Sequence, residues 1–384
     1  MKRLAKKNLT KVIFALILIF ILSTQIQPTR AFYQAVLTAP ELIQNFPLKP
    51  LIYLTNKPKV KEVVIKSSNR EIYADLYIPN DREKHPAAVL DLGLDIDRKD
   101  PRVVKVAETF ARNEYIILAP NIPYLSSRRL TTTAVEDFIA SYKFLENQPN
   151  VKKNKIGFIG FCTSGGLTLI AAENEKISQK VSFVVAINPY FDLKSLYIAL
   201  TIREVEGQKW TPHFKSVEVF NREAIALLDK TADQTILFNN LVNISEEDLA
   251  KGNFPKLLKE DELRLSKAAI FTYHTLTNKD SDKSTFYLEN AQDSQKEFLI
   301  SMSPSTNIQK LNAKTYIFAE KGFNYIPYTE ARRLSRKLEK EGKYLTYQEI
   351  SVLPQSIQEQ TFKEQLVGII KLTQFIFGFF KETN

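Results

Sequence analysis

The chain is poor in the residues that build disulfide frameworks and metal sites. Its 384 residues include one cysteine, Cys162, and three histidines, His85, His213 and His274. A single cysteine excludes an intramolecular disulfide, so we expect a free thiol in a body held together by its apolar core. It also excludes a cysteine-rich zinc site, and the histidines lack the spacing of metal ligands. The sequence therefore predicts neither a metal centre nor a cofactor.

The apolar run at the N-terminus is too short to span a bilayer alone. It covers the eleven residues Val12 to Leu22 and follows five basic residues, whereas a membrane-spanning helix needs roughly 17–25 residues. With small residues at Thr29 and Ala31 for cleavage, this pattern is typical of an export signal. Residues 12–26 together could instead form a retained membrane anchor. In both cases we expect the main body to lie outside the cytoplasm.

The positive charge does not indicate a nucleic-acid partner. The net charge is +10, but residues 1–31 hold six basic and no acidic residues, which leaves 47 basic against 43 acidic residues, or +4. The other basic residues are dispersed along helices such as Arg332 to Lys340, where a solvated face is expected. A composition of 44% apolar and 25% charged residues is that of a folded globular protein. The sequence does not indicate an oligomeric state.

Short strands alternate with amphipathic helices along most of the chain. Val60 to Lys66 and Ile72 to Ile78 alternate apolar and polar residues and predict a β-hairpin. The further predicted strands, most of them almost wholly apolar, are Ala87 to Leu92, Tyr115 to Ala119, Ile156 to Ile159, Val181 to Ile187, Thr315 to Ala319 and Tyr344 to Ile350. Strands that are apolar on both faces predict a mostly parallel sheet with helices on both sides. The predicted fold class is α/β.

After Asp192 the alternation stops and a charged, helix-prone stretch follows. A large insertion between two sheet strands predicts a helical cap over the strand ends, where ligands bind in open α/β sheets. The predicted organisation is a signal peptide or anchor at 1–31, the first part of an α/β core at 60–194, a helical cap at 195–302 and the second part of the core at 303–384.

The segment around Cys162 has the pattern of a nucleophile elbow. A strand ends at Gly160, Cys162 follows two residues later, and Gly165 and Gly166 open a helix rich in Leu, Ile and Ala. A nucleophile elbow holds its central residue in a strained turn between strand and helix, so its neighbours must be small. The alternative is an ordinary glycine-rich turn of an α/β protein.

The GFCTSGG elbow resembles that of the α/β-hydrolase fold family. Three further segments carry the same resemblance: PAAVLDLGLDIDRKDPRVVKVAETF, FVVAINPYFDL and SPSTNIQKLNAKTYIFAEKGFNYIP. The similarity is greatest to exported or membrane-anchored members like dienelactone hydrolases, and it covers Val60 to Asp192 and Ser303 to Phe377. It implies an α/β-hydrolase fold with a mostly parallel sheet, helices on both faces and a helical cap. It also implies hydrolysis of an ester, thioester or lactone with Cys162 as the nucleophile. The ligand would be a small acyl compound.

The resemblance also implies which residues complete the site. Backbone N–H groups of Thr163 and Gly93 would stabilise the oxyanion. Phe323 stands where the family has its acid, and no histidine follows the last strand, because none occurs from Thr275 to Asn384. The candidate substitutes are His213 and His274, which lie in the cap, and Asp192, which follows a strand. Asp192 has the alternative interpretation of a helix N-cap.

Two functions therefore stay open. The first is a hydrolase with a degenerate triad, in which the helix N-terminus lowers the pKa of Cys162 enough for acylation while the missing base slows deacylation. The second is a catalytically inactive hydrolase-fold protein that binds a ligand or a partner. The absence of His and acid from their expected positions favours the second, and the elbow favours the first.

Overall fold

The computed structural model of the protein describes residues 26–43, 46, 48–350 and 362–383. Within them, eight strands form one sheet in the order β1-β2-β4-β3-β5-β6-β9-β10. Its strands are β1 Lys59–Ser67, β2 Arg70–Ile78, β3 His85–Asp91, β4 Ile116–Pro120, β5 Val151–Phe161, β6 Phe183–Ile187, β9 Lys314–Glu320 and β10 Leu345–Ile350. β2 is antiparallel to both of its neighbours, β1 and β4. The other six strands of this sheet, β4, β3, β5, β6, β9 and β10, are parallel to one another. The predicted α/β fold class is confirmed.

The burial of each strand follows from its sequence. β3 and β4 are buried at every position, as their continuous apolar sequences predict for central strands of a parallel sheet. The predicted hairpin is present as β1 and β2, and β1 is largely exposed because it is the edge strand. His85, the first residue of β3, is buried as well. It is 4% exposed, and its Nε2 lies 2.7 Å from Oδ1 of Asp81.

Helices cover both faces of the sheet. They are α1 Gln27–Leu42, α2 Pro50–Leu54, α3 Pro101–Arg112, α4 Pro123–Ser126, α5 Thr132–Glu146, α6 Thr163–Glu173, α15 Tyr328–Lys340 and α16 Phe362–Thr383. α5 and α6 belong to the apolar core on one face, and α1, α3 and α16 belong to the core on the other. The aromatic end of α16 packs on the sheet, where the Phe379 ring contacts Tyr115, Phe183 and Tyr316.

The segment between β6 and β9 is mainly helical. It contains α7 Leu193–Ile202, a hairpin of β7 Glu204–Val205 and β8 Gln208–Lys209, α8 Phe214–Ala226, α9 Thr231–Leu241, α10 Glu246–Lys251, α11 Lys259–Arg264, α12 Lys267–Thr277, α13 Ser281–Glu289 and α14 Asp293–Ser301. Polar side chains such as Ser245 and Ser266 cap these helices by accepting backbone N–H groups. α8 lies above the start of α6 and brings this segment to the elbow.

The N-terminal apolar run, Val12 to Leu22, lies outside the described residues. No helix within 26–43, 48–350 or 362–383 combines the length and the apolar composition needed to cross a bilayer.

Candidate active site

Cys162 occupies the sharp turn between β5 and α6. Its backbone angles are φ 54° and ψ −126°, a conformation that L-residues rarely adopt and that costs on the order of 1–3 kcal/mol. Two hydrogen bonds hold the turn: the Cys162 N–H donates to the Ile187 carbonyl at 2.8 Å, and the Gly165 N–H donates to the Cys162 carbonyl at 3.0 Å. The strain is therefore imposed by the adjacent strand and by the first turn of the helix.

The Cys162 thiol is held in its protonated form at neutral pH. Burial raises its pKa to about 11, and hydrogen bonds from the hydroxyl and the N–H of Thr163 offset this only in part. The sulfur lies 3.8 Å from Oγ1 of Thr163, which is its one hydrogen-bonding side chain in the described part of the chain. The N–H at the start of α6 lowers this pKa as expected, but desolvation outweighs it and the net shift is upward.

Gly93 brings the loop after β3 against the elbow. Its φ is +102°, and a Cβ on it would lie 3.2 Å from the Phe161 carbonyl oxygen and 3.5 Å from Cβ of Cys162. Its own N–H donates to Oδ1 of Asp91 at 2.8 Å and so is already engaged. The next N–H along the loop, that of Leu94, has no hydrogen-bond partner among the described residues. Thr163 thus presents a backbone donor to the sulfur, and Leu94 lines the adjacent cavity.

Asp91 is a site residue that the sequence analysis missed. It ends β3, is 5% exposed, and accepts hydrogen bonds on the same carboxylate oxygen from the Gly93 N–H and the Ser164 hydroxyl. Burial raises its pKa to about 7 despite these two donors. The signal that could have found it is an acidic residue between apolar strand residues and the glycine of the oxyanion loop.

The loop after β9 provides aromatic rings where a catalytic acid is expected. Phe323 stacks on Tyr325 with ring centroids 5.3 Å apart. The Asn324 side chain is exposed, and its backbone carbonyl accepts the His213 N–H at 2.8 Å. The loop therefore docks the cap segment through stacking and a backbone hydrogen bond.

His213 is the N-cap of α8. Its Nδ1 accepts the Lys215 N–H at 3.2 Å, and its ring stacks on Tyr325 with centroids 4.0 Å apart and planes within 13°. Nε2 lies 3.0 Å from the Tyr325 hydroxyl oxygen. Because the rings are nearly parallel, this contact is out of the imidazole plane and makes a poor hydrogen bond. Burial lowers the pKa of His213, which keeps the ring neutral.

The other two proposed substitutes are also not joined to Cys162 by hydrogen bonds. His274 is exposed on α12. Asp192 caps α7, because its Oδ1 accepts the Ser195 N–H at 3.0 Å, and its Oδ2 accepts the Ser305 hydroxyl at 2.6 Å. The N-cap interpretation of Asp192 therefore describes its hydrogen bonds. In the described residues, the structure brings together Cys162, Thr163 and Gly93. No hydrogen bond within this part of the chain joins His213, His274 or Asp192 to Cys162.

A small cavity lies beside the elbow. Its volume is about 10 Å³, which is room for one water molecule. It is lined by Leu94, Leu130, Thr163, Tyr190, Leu196, Ser216, Val219, Phe220, Tyr325 and Ile326. Three of these residues, Ser216, Val219 and Phe220, belong to α8, so the cap segment forms part of the cavity wall.

Similarity to known proteins agrees with the fold. A family model described as BAAT / Acyl-CoA thioester hydrolase C terminal matches residues 133–262, about a third of the chain. Acylaminoacyl peptidase from Pyrococcus horikoshii superimposes with a TM-score of 0.50 at 12% identity, over 85% of this chain and 42% of that one. An acylaminoacyl peptidase in complex with Z-Gly-Gly-Phe-chloromethyl ketone superimposes with a TM-score of 0.52 at 13% identity, over 88% of this chain and 43% of that one.

An esterase from the archaeon Pyrobaculum calidifontis matches over 93% of both chains at 12% identity, with a TM-score of 0.47. No curated protein matches the chain. The chain spans about two fifths of the length of the peptidases.

Proposed function

The chain has the α/β-hydrolase fold, and on that premise we propose that Cys162 accepts an acyl group from an activated thioester or ester and releases it slowly. The Cys162 thiolate attacks the acyl carbon, the bond from that carbon to the leaving sulfur or oxygen breaks, and an acyl thioester of Cys162 forms. The leaving thiolate or alkoxide takes a proton from water, and the thiol proton has gone to solvent.

The strained backbone of Cys162 carries this proposal. A φ of 54° at a non-glycine residue is costly, and in a nucleophile elbow this turn presents the central side chain outside the strand and the helix. The Thr163 N–H hydrogen-bonds the sulfur, and Leu94, whose N–H has no partner in the described residues, lines the cavity together with Thr163. Such donors stabilise the negative oxygen of a tetrahedral intermediate, and removing one typically costs about 10²–10³-fold in rate. We assign the second donor to Leu94 because the Gly93 N–H is bonded to Asp91.

Slow release follows from the surroundings of the thiol. Water must attack the acyl thioester, and a general base speeds that step by about 10²–10⁴-fold. In the described residues no imidazole or carboxylate hydrogen-bonds Cys162, and the sequence has no histidine after His274. The acylated protein should therefore accumulate in place of product.

The second candidate function is binding without chemistry. It is favoured by the pKa of about 11 for the thiol, which leaves little thiolate at neutral pH. In that case the pocket opened by movement of α8 would hold an acyl ligand non-covalently. The similarity of residues 133–262 to an acyl-CoA thioester hydrolase domain supports both candidates.

The decisive experiment compares two reactions of the same thiol. Intact-mass measurements would follow modification of the protein by an acetyl thioester and by iodoacetamide, from pH 7 to 9. The reference is Cys162→Ala carrying Leu263→Cys, which places a thiol where the native side chain is 81% exposed. Alkylation forms no oxyanion, so the ratio of acylation rate to alkylation rate isolates the contribution of the backbone donors.

We expect alkylation of Cys162 to be slow, because at pH 7.5 a thiol of pKa about 11 is only about 0.03% ionised, against roughly 10% for a free cysteine. Both rates should rise about tenfold per pH unit. The acylation-to-alkylation ratio should be at least tenfold higher at Cys162 than at the reference thiol. An equal ratio at Cys162 and at the reference thiol would exclude assisted acylation and favour the binding function. Sustained ester hydrolysis that Cys162→Ala abolishes would instead show a proficient hydrolase.

A further inference from the structure

Exposed apolar side chains are concentrated at the two ends of the described chain. Of the eighteen large apolar side chains exposed in the described residues, ten lie within 26–54 and 366–370. Scattered exposed apolar residues are normal, but a cluster of this kind marks an interaction surface. We use six of them to define the terminal face: Phe32, Val36, Ile52, Leu54, Val367 and Ile370.

The elements that carry the terminal face pack against one another. The Gln27 side chain donates to the Lys381 carbonyl at 2.9 Å, and the rings of Phe32 and Phe377 are 6.2 Å apart. These contacts make α1 antiparallel to α16, so the end of α1 lies beside the start of the described part of α16. α2 joins them, because the Leu51 N–H donates to Glu41 of α1 at 3.0 Å. The six exposed side chains are therefore carried by three helices that are packed together.

The part of the terminal face formed by α1 has few charged side chains for a surface exposed to water. α1 has 16 residues and only two charged ones, Arg30 and Glu41. Arg30 forms an ion pair with Glu114, and Glu41 is 4% exposed. A helix that faces solvent normally carries charged residues opposite its buried stripe. Here the buried stripe of alanines is flanked by Phe32 and Val36, which are 50% and 42% exposed.

We propose that the terminal face rests on a lipid bilayer, with its apolar side chains in the interfacial region. The apolar run Val12 to Leu22 ends four residues before Ile26, and four extended residues reach at most about 14 Å. If that run is retained as a membrane anchor, which is one of the two outcomes that the sequence leaves open, α1 begins at the membrane surface. An amphipathic or apolar helix face at this height buries its side chains among the lipid headgroups and upper acyl chains. The inference depends on the N-terminal segment and is independent of the reaction at Cys162.

The surface also orients the body. α1 and α16 cover one face of the sheet, whereas α8 and the small cavity lie at the carboxyl ends of the strands. Docking through α1 and α16 would hold the body against the membrane by two attachments, the N-terminal segment and the terminal face. The site at Cys162 would then keep a fixed height above the lipid.

Fluorescence quenching by lipid tests the proposal on the full chain. Trp210 is the one tryptophan, so a Trp210→Phe background allows single probes at Val36→Trp and Ile370→Trp. The matched control is Leu263→Trp on α11, which is 81% exposed and lies in the cap segment. Each protein would be reconstituted into phosphatidylcholine nanodiscs, with and without bromine on the acyl chains, and then exposed to iodide.

We expect brominated lipid to reduce the emission of both terminal-face probes at least twofold and that of the control by less than a tenth. Terminal-face probes that iodide quenches and bromine does not would face water, and the proposal would be wrong. Probes shielded from both quenchers would be covered by another segment of the chain, which also overturns it. Acylation of Cys162 is not needed for any of these outcomes.

Discussion

The carboxylate of Asp91 accepts the hydroxyl hydrogen of Ser164, which joins the end of β3 to the first turn of α6. The same oxygen accepts the Gly93 N–H, so one buried side chain ties the loop after β3 to the elbow. This tie holds the loop that contains Leu94 beside the first turn of α6, which contains Thr163. Asp91 is a positioning residue, since it touches neither the sulfur nor the cavity.

Asp91 should make the folded protein less stable as pH rises from about 4 to 7. Its pKa is about 7 when folded and near its ordinary 3.8 when unfolded, so in this range the folded state holds a proton that the unfolded state has lost. Stability then falls by about 1.4 kcal/mol per pH unit, or roughly 4 kcal/mol in all. Asp91→Asn removes the titration. Urea unfolding of both proteins at pH 4, 5.5 and 7.5 should show the variant gaining stability relative to the wild type as pH rises.

Asp100→Asn is the control for that series. Asp100 caps α3, and its hydrogen bond with Arg102 keeps the pKa of this carboxyl below its usual value. Its stabilising contribution is therefore present above its unfolded pKa and is lost as the pH falls. A difference between wild type and Asp91→Asn that does not change with pH would contradict the role given to Asp91.

His213 should matter for stability and not for acylation. His213→Ala removes the N-cap of α8 and the stack on Tyr325, which should lower the free energy of unfolding by about 1–2 kcal/mol. His213→Asn keeps a capping oxygen and should lose less. Both variants should acylate Cys162 within twofold of the wild-type rate, measured by intact mass. A tenfold loss in both would place His213 in the reaction.

The sequence predicted the parts of this structure that depend on local pattern. The hairpin of β1 and β2, the apolar strands and the turn at Cys162 follow from residue periodicity and from glycine placement near the nucleophile. Each of these needs only neighbours in the chain. For the same reason the similarity to the α/β-hydrolase family was visible in segments of ten to thirty residues.

What the sequence did not predict depends on contacts between distant segments. The raised pKa of Cys162 comes from desolvation in the folded protein, which the local sequence does not reveal, so the helix N-terminus alone suggested the wrong direction. Asp91 acquires its role only when Ser164 reaches it. His213 lay in the right segment to approach Cys162, but helix capping fixes its ring on Tyr325.

Gly166 and Gly378 both lie within helices, and their surroundings predict opposite responses to the same substitution. A Cβ on Gly166 would lie 2.2 Å from Cε1 of Tyr190, a ring that is 1% exposed. A Cβ on Gly378 would meet Thr346 Cγ2 at 3.8 Å, an ordinary contact. The first glycine is thus required by a close approach and the second is not.

Gly166→Ala should therefore destabilise the protein by about 1–3 kcal/mol, the usual cost of overpacking, whereas Gly378→Ala should stabilise it by up to about 1 kcal/mol through helix propensity. Thermal or urea unfolding measures both changes. Tyr190→Leu should rescue Gly166→Ala, so the double variant should lose less than the two single losses added together. Tyr190→Phe should be nearly neutral, because the buried Tyr190 hydroxyl has no hydrogen-bond partner in the described residues. If Gly166→Ala were as stable as Gly378→Ala, the elbow helix would have to tolerate a shift of Tyr190, and the close packing that holds Cys162 in its strained turn would not be rigid.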